Sequence, residues 1–265
     1  MDIKKVYIDT RFKTADSRSD SDFYVELPRT LNIPDKCACY IDDIVIPVSW
    51  NTIDERNQNL WLTIYIDGVV TVNTVTFVSG NYTGVTFTSA FQSKVNAALL
   101  EYELSVTCSY DLMNNKLQIV LNDDRDPATG VVQVVIGSDL ELDVAKPKSL
   151  NGVLMLSVAG VLNPDVAFHT YLDLHTTRNL YLTSSSLAAY NTVSNFGPDT
   201  IIKKIPVRFN YNEMLFDSAE SGYDYLDVSK RSLQRIDFRL QDAFGKIINL
   251  NGNHWSFSLI FQLLD

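Results

Sequence analysis

The chain has 265 residues, 32 acidic against 22 basic side chains, a formal net charge of −10, three cysteines and three histidines. That length can bury roughly 70% of the unfolded surface in one large domain or two modest ones, without disulfide staples. The acidic balance argues against a mainly phosphate-binding surface, so no direct nucleic-acid role is expected. The odd cysteine count fits reduced core thiols made in a reducing compartment: Cys37 and Cys39 share a strand face, and Cys108 is distant in sequence. No secretory signal opens the chain, and the longest uncharged apolar run, Val153 to Leu162, is half of what a spanning helix needs. These features together predict a soluble protein.

In chain order, Lys4, Lys5, Arg11, Lys13 and Arg18 make the start locally basic, and Asp9 to Asp22 lacks periodicity. Asp9 to Asp22 is expected to be an extended arm or loop, and the basic start a solvated or partner-docking tail, ordering alone or on assembly. A first strand is predicted at Phe23 to Leu27, closed by Pro28. The next run, Cys37 to Trp50, changes phase: Cys37, Cys39 and Ile41 share one parity, and Ile44, Ile46, Val48 and Trp50 the other. Asp42-Asp43 sits at the switch, which predicts a β-bulge, and Pro47 predicts an edge or bulge position. Leu60 to Ile66 is apolar on both faces, as in a covered strand.

From about Asp67 to Pro164 the pattern changes. A strand at Val69 to Val78 and a GNYTG turn at Gly80 to Gly84 lead into an amphipathic helix, Phe87 to Tyr102. Its stripe is Phe87, Phe91, Val95, Leu99 and Tyr102, with Thr86 or Thr88 as the expected cap. Strands through Val106/Cys108/Tyr110 and Leu117/Ile119/Leu121, hinged at Asn114-Asn115, and another at Val131 to Ile136 complete an α+β unit. At about 100 residues it is large enough to be a subdomain. Val153 to Leu162 reads best as a buried strand.

After Pro164 strands return: a long strand or strand pair at Phe168 to Thr183, a loop at Ser184 to Pro198, and a strand at Ile201 to Phe209. In the last of these Ile201, Ile205, Val207 and Phe209 share a face, and a long connection with a turn at Ser221-Gly222 follows. Ser232 to Leu263 reads as a three-stranded meander with one dry face. Its parts are Arg235 to Leu240, a turn at Asp242 to Gly245, a short strand at Ile247 to Leu250, an Asn251-Gly252 hairpin turn, and Trp255 to Leu263. A dry face needs a second layer, so the segments outside the middle unit, about eight strands, are expected to close as two facing sheets.

Reactive constellations are weak. His169, Asp173 and His175 fall at even spacing and could ligate iron as in a cupin-like enzyme, but surface or sheet-face residues are the preferred reading. Asn122, Asp124 and Asp126 imitate a calcium loop, yet Pro127 stands where a sharp turn needs Gly and Gln133 where a bidentate Glu belongs. Ser256 and Ser258 read as the wet face of the last strand, and Asn81-Tyr82-Thr83 as an unmodified sequon. Nucleophile elbows and phosphate loops are absent from the sequence. No catalytic, cofactor or metal residue is assigned, and the chain is expected not to be an enzyme.

Eight strands in two sheets is the count of a jelly roll. The opening IDTRFKTADSRSDSDFYVELP with CACYIDDIVIPVSW, the strand IIKKIPV, and the closing LQRIDFRLQDAFGKIINLNGNHWSFSLIFQ resemble the penton (minor capsid) proteins of virophages and of polinton (Maverick)-type and polinton-like viruses. GNYTG before an amphipathic helix also looks like the inserted unit of such proteins. The resemblance implies a mainly β fold: a single jelly-roll β-sandwich built from 1–66 and 165–265, with 67–164 as an inserted α+β subdomain. It also implies a virion protein made in the host cytoplasm that forms homopentamers at icosahedral vertices. Its implied partners are itself, a double-jelly-roll major capsid protein, and a host receptor met through the insert. A carbohydrate- or receptor-binding β-sandwich is the alternative reading, and a cupin-like metalloenzyme a more distant one.

Overall fold

A computed structural model of the chain describes residues 3–126, 130–137, 149–188, 200–218 and 225–263. Among the described residues the fold is mainly β, with antiparallel pairing throughout its named strands and one α-helix. It divides into two compact units, Met1–Trp50 with Thr177–Asp265, and Asn51–Thr176. No helix among the described residues is long and apolar enough to cross a membrane.

The chain begins with β1 (Ile3–Asp9), β2 (Asp22–Asn32) and β3 (Cys37–Pro47). It then enters the second unit through β4 (Asn59–Ile66), β5 (Val69–Thr76) and α1 (Gly84–Leu99). β6 (Leu104–Asp111), β7 (Lys116–Asp123), β8 (Val132–Ile136), β9 (Gly160–Leu162) and β10 (Ala167–Tyr171) complete that unit. The first unit resumes with β11 (Asn179–Thr183), β12 (Ile201–Pro206), β13 (Met214–Ser218), β14 (Leu226–Asp227), β15 (Ser232–Gln241) and β16 (Ser256–Leu263).

In the first unit, β1-β16-β3-β13 form one sheet, with β14 also on β3, and β12-β11-β15-β2 form the other. The pairing is nested: β1 with β16, β2 with β15, β3 with β13, and β11 with β12. The inner faces supply one core that includes Phe23, Ile41, Ile44, Ile46, Leu182, Phe238 and Phe257. Rings from both sheets touch there: Phe238 lies 4.9 Å from Phe257 and 5.5 Å from Phe23, and Trp255 stacks on Phe257 at 5.0 Å. Burying such rings is the main stabilising contribution, because each removes well over 100 Å² of apolar surface from water.

Several local expectations are met. The register of β16 on β3 slips between Phe257 and Leu259, opposite Ile44 and Ile41, so Asp42-Asp43 does form the bulge that switches the buried face. Pro47 lies beyond the last β3 residue paired with β16, where its missing donor costs nothing. Asn251 and Gly252 both take positive φ, 52° and 78°, in the turn before β16.

Other expectations are corrected. Ser232 to Leu263 is not a meander: β15 and β16 belong to opposite sheets, and 242–255 carries the chain across the core. Ile247 makes a single bridge to Gln241, while Ile248 and Leu250 are buried in the same core outside any strand. A run with one apolar face cannot say whether its neighbour in sequence is beside it or opposite it; the nested pairing decides. Ser258 is buried, not wet, and its hydroxyl donates to Asp43 Oδ1 at 2.8 Å, because β16 is a central strand. The basic start is not a free tail but β1, paired with β16 over its whole length. Pro28 does not end β2, since an edge strand with an irregular register tolerates it. In β12 a bulge opposite Leu182/Thr183 places Ile202 and Ile205 inward rather than Ile201.

The boundaries 67 and 164 also fall inside the second unit. Leu60–Ile66 turns back at Asp67-Gly68 (φ 50° and 81°) to pair with β5, and its other edge takes β8. β10 pairs with β7, so Phe168 to Thr183 is divided between the two units. That unit holds the sheets β5-β4-β8-β9 and β10-β7-β6, with a core from Leu62, Phe77, Phe87, Phe91, Ile119 and Val134 among others. The helix starts earlier than expected, because Thr83 rather than Thr86 or Thr88 caps it: Thr83 Oγ1 accepts from Thr86 N, and Thr86 Oγ1 accepts from Thr83 N. Phe87, Phe91, Val95 and Leu99 of its expected stripe are buried, and Tyr102, partly buried, belongs to the turn of 3₁₀ helix (Leu100–Tyr102) that ends it. Helix side chains cover the free edge of β6: Asn96 exchanges two hydrogen bonds with the Val106 backbone, and Gln92 Oε1 accepts from Cys108 N at 2.7 Å. Val153 to Leu162 is not one strand; Val153 and Leu154 are buried beside a 3₁₀ turn, and only 160–162 pair. The Ser221-Gly222 turn and most of the Ser184 to Pro198 loop lie outside the described residues.

Candidate functional site

The sequence-level chemical candidates do not assemble. His169 is exposed on β10, and Asp173 Oδ1 accepts from the amide of His175 at 3.0 Å, a local turn contact rather than convergence on an ion. Asn122 Nδ2 donates to Ser105 Oγ and Thr107 Oγ1 across the hairpin, and Asp123 is held by Arg125 at 2.8 Å. Among the described residues no three His, Cys, Asp or Glu side chains are grouped to hold a metal. Cys37 and Cys39 are free and buried, and Cys108 is half-buried. Burial pushes the Cys37 and Cys39 thiols upward and Cys108 up to about 12, which leaves them as poor nucleophiles.

A concavity lies at the β1/β2 side of the first unit. A groove of about 490 Å³ runs between these two strands, lined by Val6, Val25, Leu27 and Leu31 with Lys4, Lys5, Glu26 and Arg29 around them. Both strands are terminal in their sheets, so the groove is bounded by two backbone edges. The first part of β2's edge is taken by the preceding loop, through Thr14 N to Tyr24 O and Arg18 N to Asp22 O. That loop is itself pinned: Lys13 and His254 bond Asp20, Trp255 Nε1 donates to the Asp20 carbonyl, and Asp16 pairs with Arg235. Thus Asp9 to Asp22, expected as an extended arm or loop, is a loop fixed at both its acidic and its backbone groups. Arg11 grips Asp9 through Nε and Nη2, and that bond holds the Asp9 carboxyl below the usual carboxylate range. Tyr7 and Phe12 stand exposed beside the groove.

The opposite flank differs. Lys203 on β12, nearly fully buried, meets Asp217 of β13 at 3.0 Å and ties the two sheets together. Outside that tie, β13 shows Met214 and Phe216 to solvent. The sandwich is therefore closed by an ion pair on one side and grooved on the other. Sequence reasoning missed both features, because neither edge identity nor the buried lysine has a periodic signature.

The sequence matches no protein-family model, and no curated protein matches it. The structure does have a neighbour among solved ones. It is similar to the crystal structure of the mavirus penton protein, with a TM-score of 0.58 and 11% sequence identity, over 99% of this chain and 100% of that one. The two proteins share a fold. At that identity the likeness concerns the course of the backbone.

Proposed function

We propose that this chain is a penton-type minor capsid protein, structural rather than catalytic, five copies of which form a ring at each vertex of an icosahedral shell. The observation that carries this reading is the end-to-end likeness to the mavirus penton protein, with neither chain left over. The nested order β1-β16-β3-β13 over β12-β11-β15-β2 supports reading the first unit as a single jelly roll, whose eight strands pair first with last, second with second-last, and so inward. On this reading 51–176 is an insertion between β3 and β11, and the surrounding shell is a double-jelly-roll major capsid protein. Location at the vertex needs contact surfaces rather than a pocket, which accords with exposed apolar side chains at strand edges and buried, unreactive thiols.

The insert is the proposed receptor-facing element. Supporting this, the β6–β7 hairpin tip presents Leu112 and Met113, 74% and 95% exposed, on a turn fixed by Asp111. The experiment for the main reading is native mass spectrometry of the purified chain, alone and with the major capsid protein. A five-copy species is expected; a strictly monomeric chain under both conditions refutes it.

A further inference from the structure

We propose that copies of this chain join head to tail along one sheet. The β1 edge of one copy (Lys4 to Ile8) lies antiparallel to the β13/β14 edge of the next (Met214–Ser218 and Leu226–Asp227). This rests on the ring reading above and locates its interface. A ring needs a heterologous contact, two different patches on one subunit whose repetition closes on itself. The sheet β1-β16-β3-β13 has such patches at its two ends.

Strand direction fits. Each neighbour in this sheet is antiparallel to the last, so β1 and β13 run in opposite directions. A second copy placed in line therefore brings its β1 antiparallel to β13, and the sheet continues without reversing the subunit. Unpaired edge amides and carbonyls are ready templates for such addition, and a closed ring leaves none exposed.

Height and charge fit as well. Following the registers across the sheet, Lys4, Phe261, Cys39 and Leu226 form one row, and Ile3, Gln262, Ala38 and Asp227 the next. Higher up, Asp9, Ser256, Val45 and Phe216 share a row. A copy arriving level thus sets Lys5 on the same face as Asp227 and diagonally across from it, and sets the exposed Tyr7 diagonally across from Phe216. Residues 213–218 and 225–228 include Glu213, Asp217 and Asp227 and no Lys or Arg, whereas β1 carries Lys4 and Lys5 with Asp9 already neutralised by Arg11. Asp227 accepts from Ser229, whose amide lies 2.9 Å away, and Glu213 from the Asn210 amide at 2.7 Å, and neither carboxylate makes an ion pair among the described residues. Lys4 makes no ion pair among the described residues, and Lys5 has only the loose 3.8 Å contact with Asp42. Opposite charges across neighbouring strands favour this partner and register, and like charges disfavour others.

The test uses the full-length chain in sedimentation velocity, with thermal melts as a check on folding. Both side chains are on the surface, so wild-type melting is expected for every variant. Lys5→Glu and, separately, Asp227→Lys are each expected to weaken ring formation by at least about tenfold. The chain carrying both changes, with the charges exchanged between edges, is expected to recover the ring. A ring that forms with wild-type affinity in either single variant, or a double variant no better than the singles, overturns the edge pairing while leaving the penton reading intact. A wild-type chain that stays monomeric even with the major capsid protein overturns both.

Discussion

Phe238 on β15 and Phe257 on β16 come from the two facing sheets, and their rings meet edge to face at 4.9 Å and 79°. Truncating either to Ala would cost about 3–5 kcal/mol, a large part of the roughly 5–15 kcal/mol total of a typical domain. Leu is the better probe, because it keeps the site apolar and removes the ring. Edge-to-face pairs contribute about 0.5–1.5 kcal/mol beyond buried area, so the cycle Phe238→Leu, Phe257→Leu and the double variant should show a coupling of that size. Urea unfolding followed by tryptophan fluorescence in a Trp61→Phe background reads the first unit, where Trp50 and Trp255 are buried. In a flat meander with a short strand between them the two rings would be two strands apart and uncoupled. Additivity within about 0.3 kcal/mol would refute the two-layer core.

Asp237 anchors the start of the 184–188 segment, accepting from the amides of Ser185 and Ser186 and from the Ser186 hydroxyl. Burial raises its pKa, but these donors outweigh burial and hold it below the usual carboxylate value. Such a group stabilises the fold above the unfolded pKa near 3.9, and the contribution is lost as pH falls through the depressed folded pKa. Asp237→Asn should therefore cost about 1.5–3 kcal/mol at pH 7 and much less near pH 2–3 by urea titration; a pH-independent difference contradicts this. Thr83→Ala should destabilise the second unit by about 1 kcal/mol in thermal melts, and Thr83→Ser should retain the cap. Gly84→Ala places a Cβ 2.1 Å from the Tyr110 ring, so a loss of about 1–3 kcal/mol is expected, relieved by Tyr110→Ala in the same background.

What was legible in the sequence was local. The alternation in Trp255 to Leu263, the parity switch at Asp42-Asp43 and the stripe Phe87/Phe91/Val95/Leu99 each follow from the period of one element, and the structure keeps all three. What was not legible depended on which strand lies beside which. Leu60–Ile66 was assigned to the flanking sandwich although Asp67-Gly68 just after it is a two-residue hairpin signal that ties it to β5. β1 has no readable strand pattern because Lys5 and Tyr7 project outward from an edge strand and Lys4 is exposed at the end of the inward row, leaving only Val6 and Ile8 to pack on the core. For the same reason the groove between β1 and β2 has no motif: it exists because two strands distant from each other in the pairing order both end their sheets on the same side.

The proposed vertex role is tested most directly by a symmetry-resolved reconstruction of particles assembled from this chain with the double-jelly-roll major capsid protein proposed as its partner. Five copies are expected around each fivefold axis, and density without this chain at the vertices, or with it elsewhere in the shell, would contradict that role.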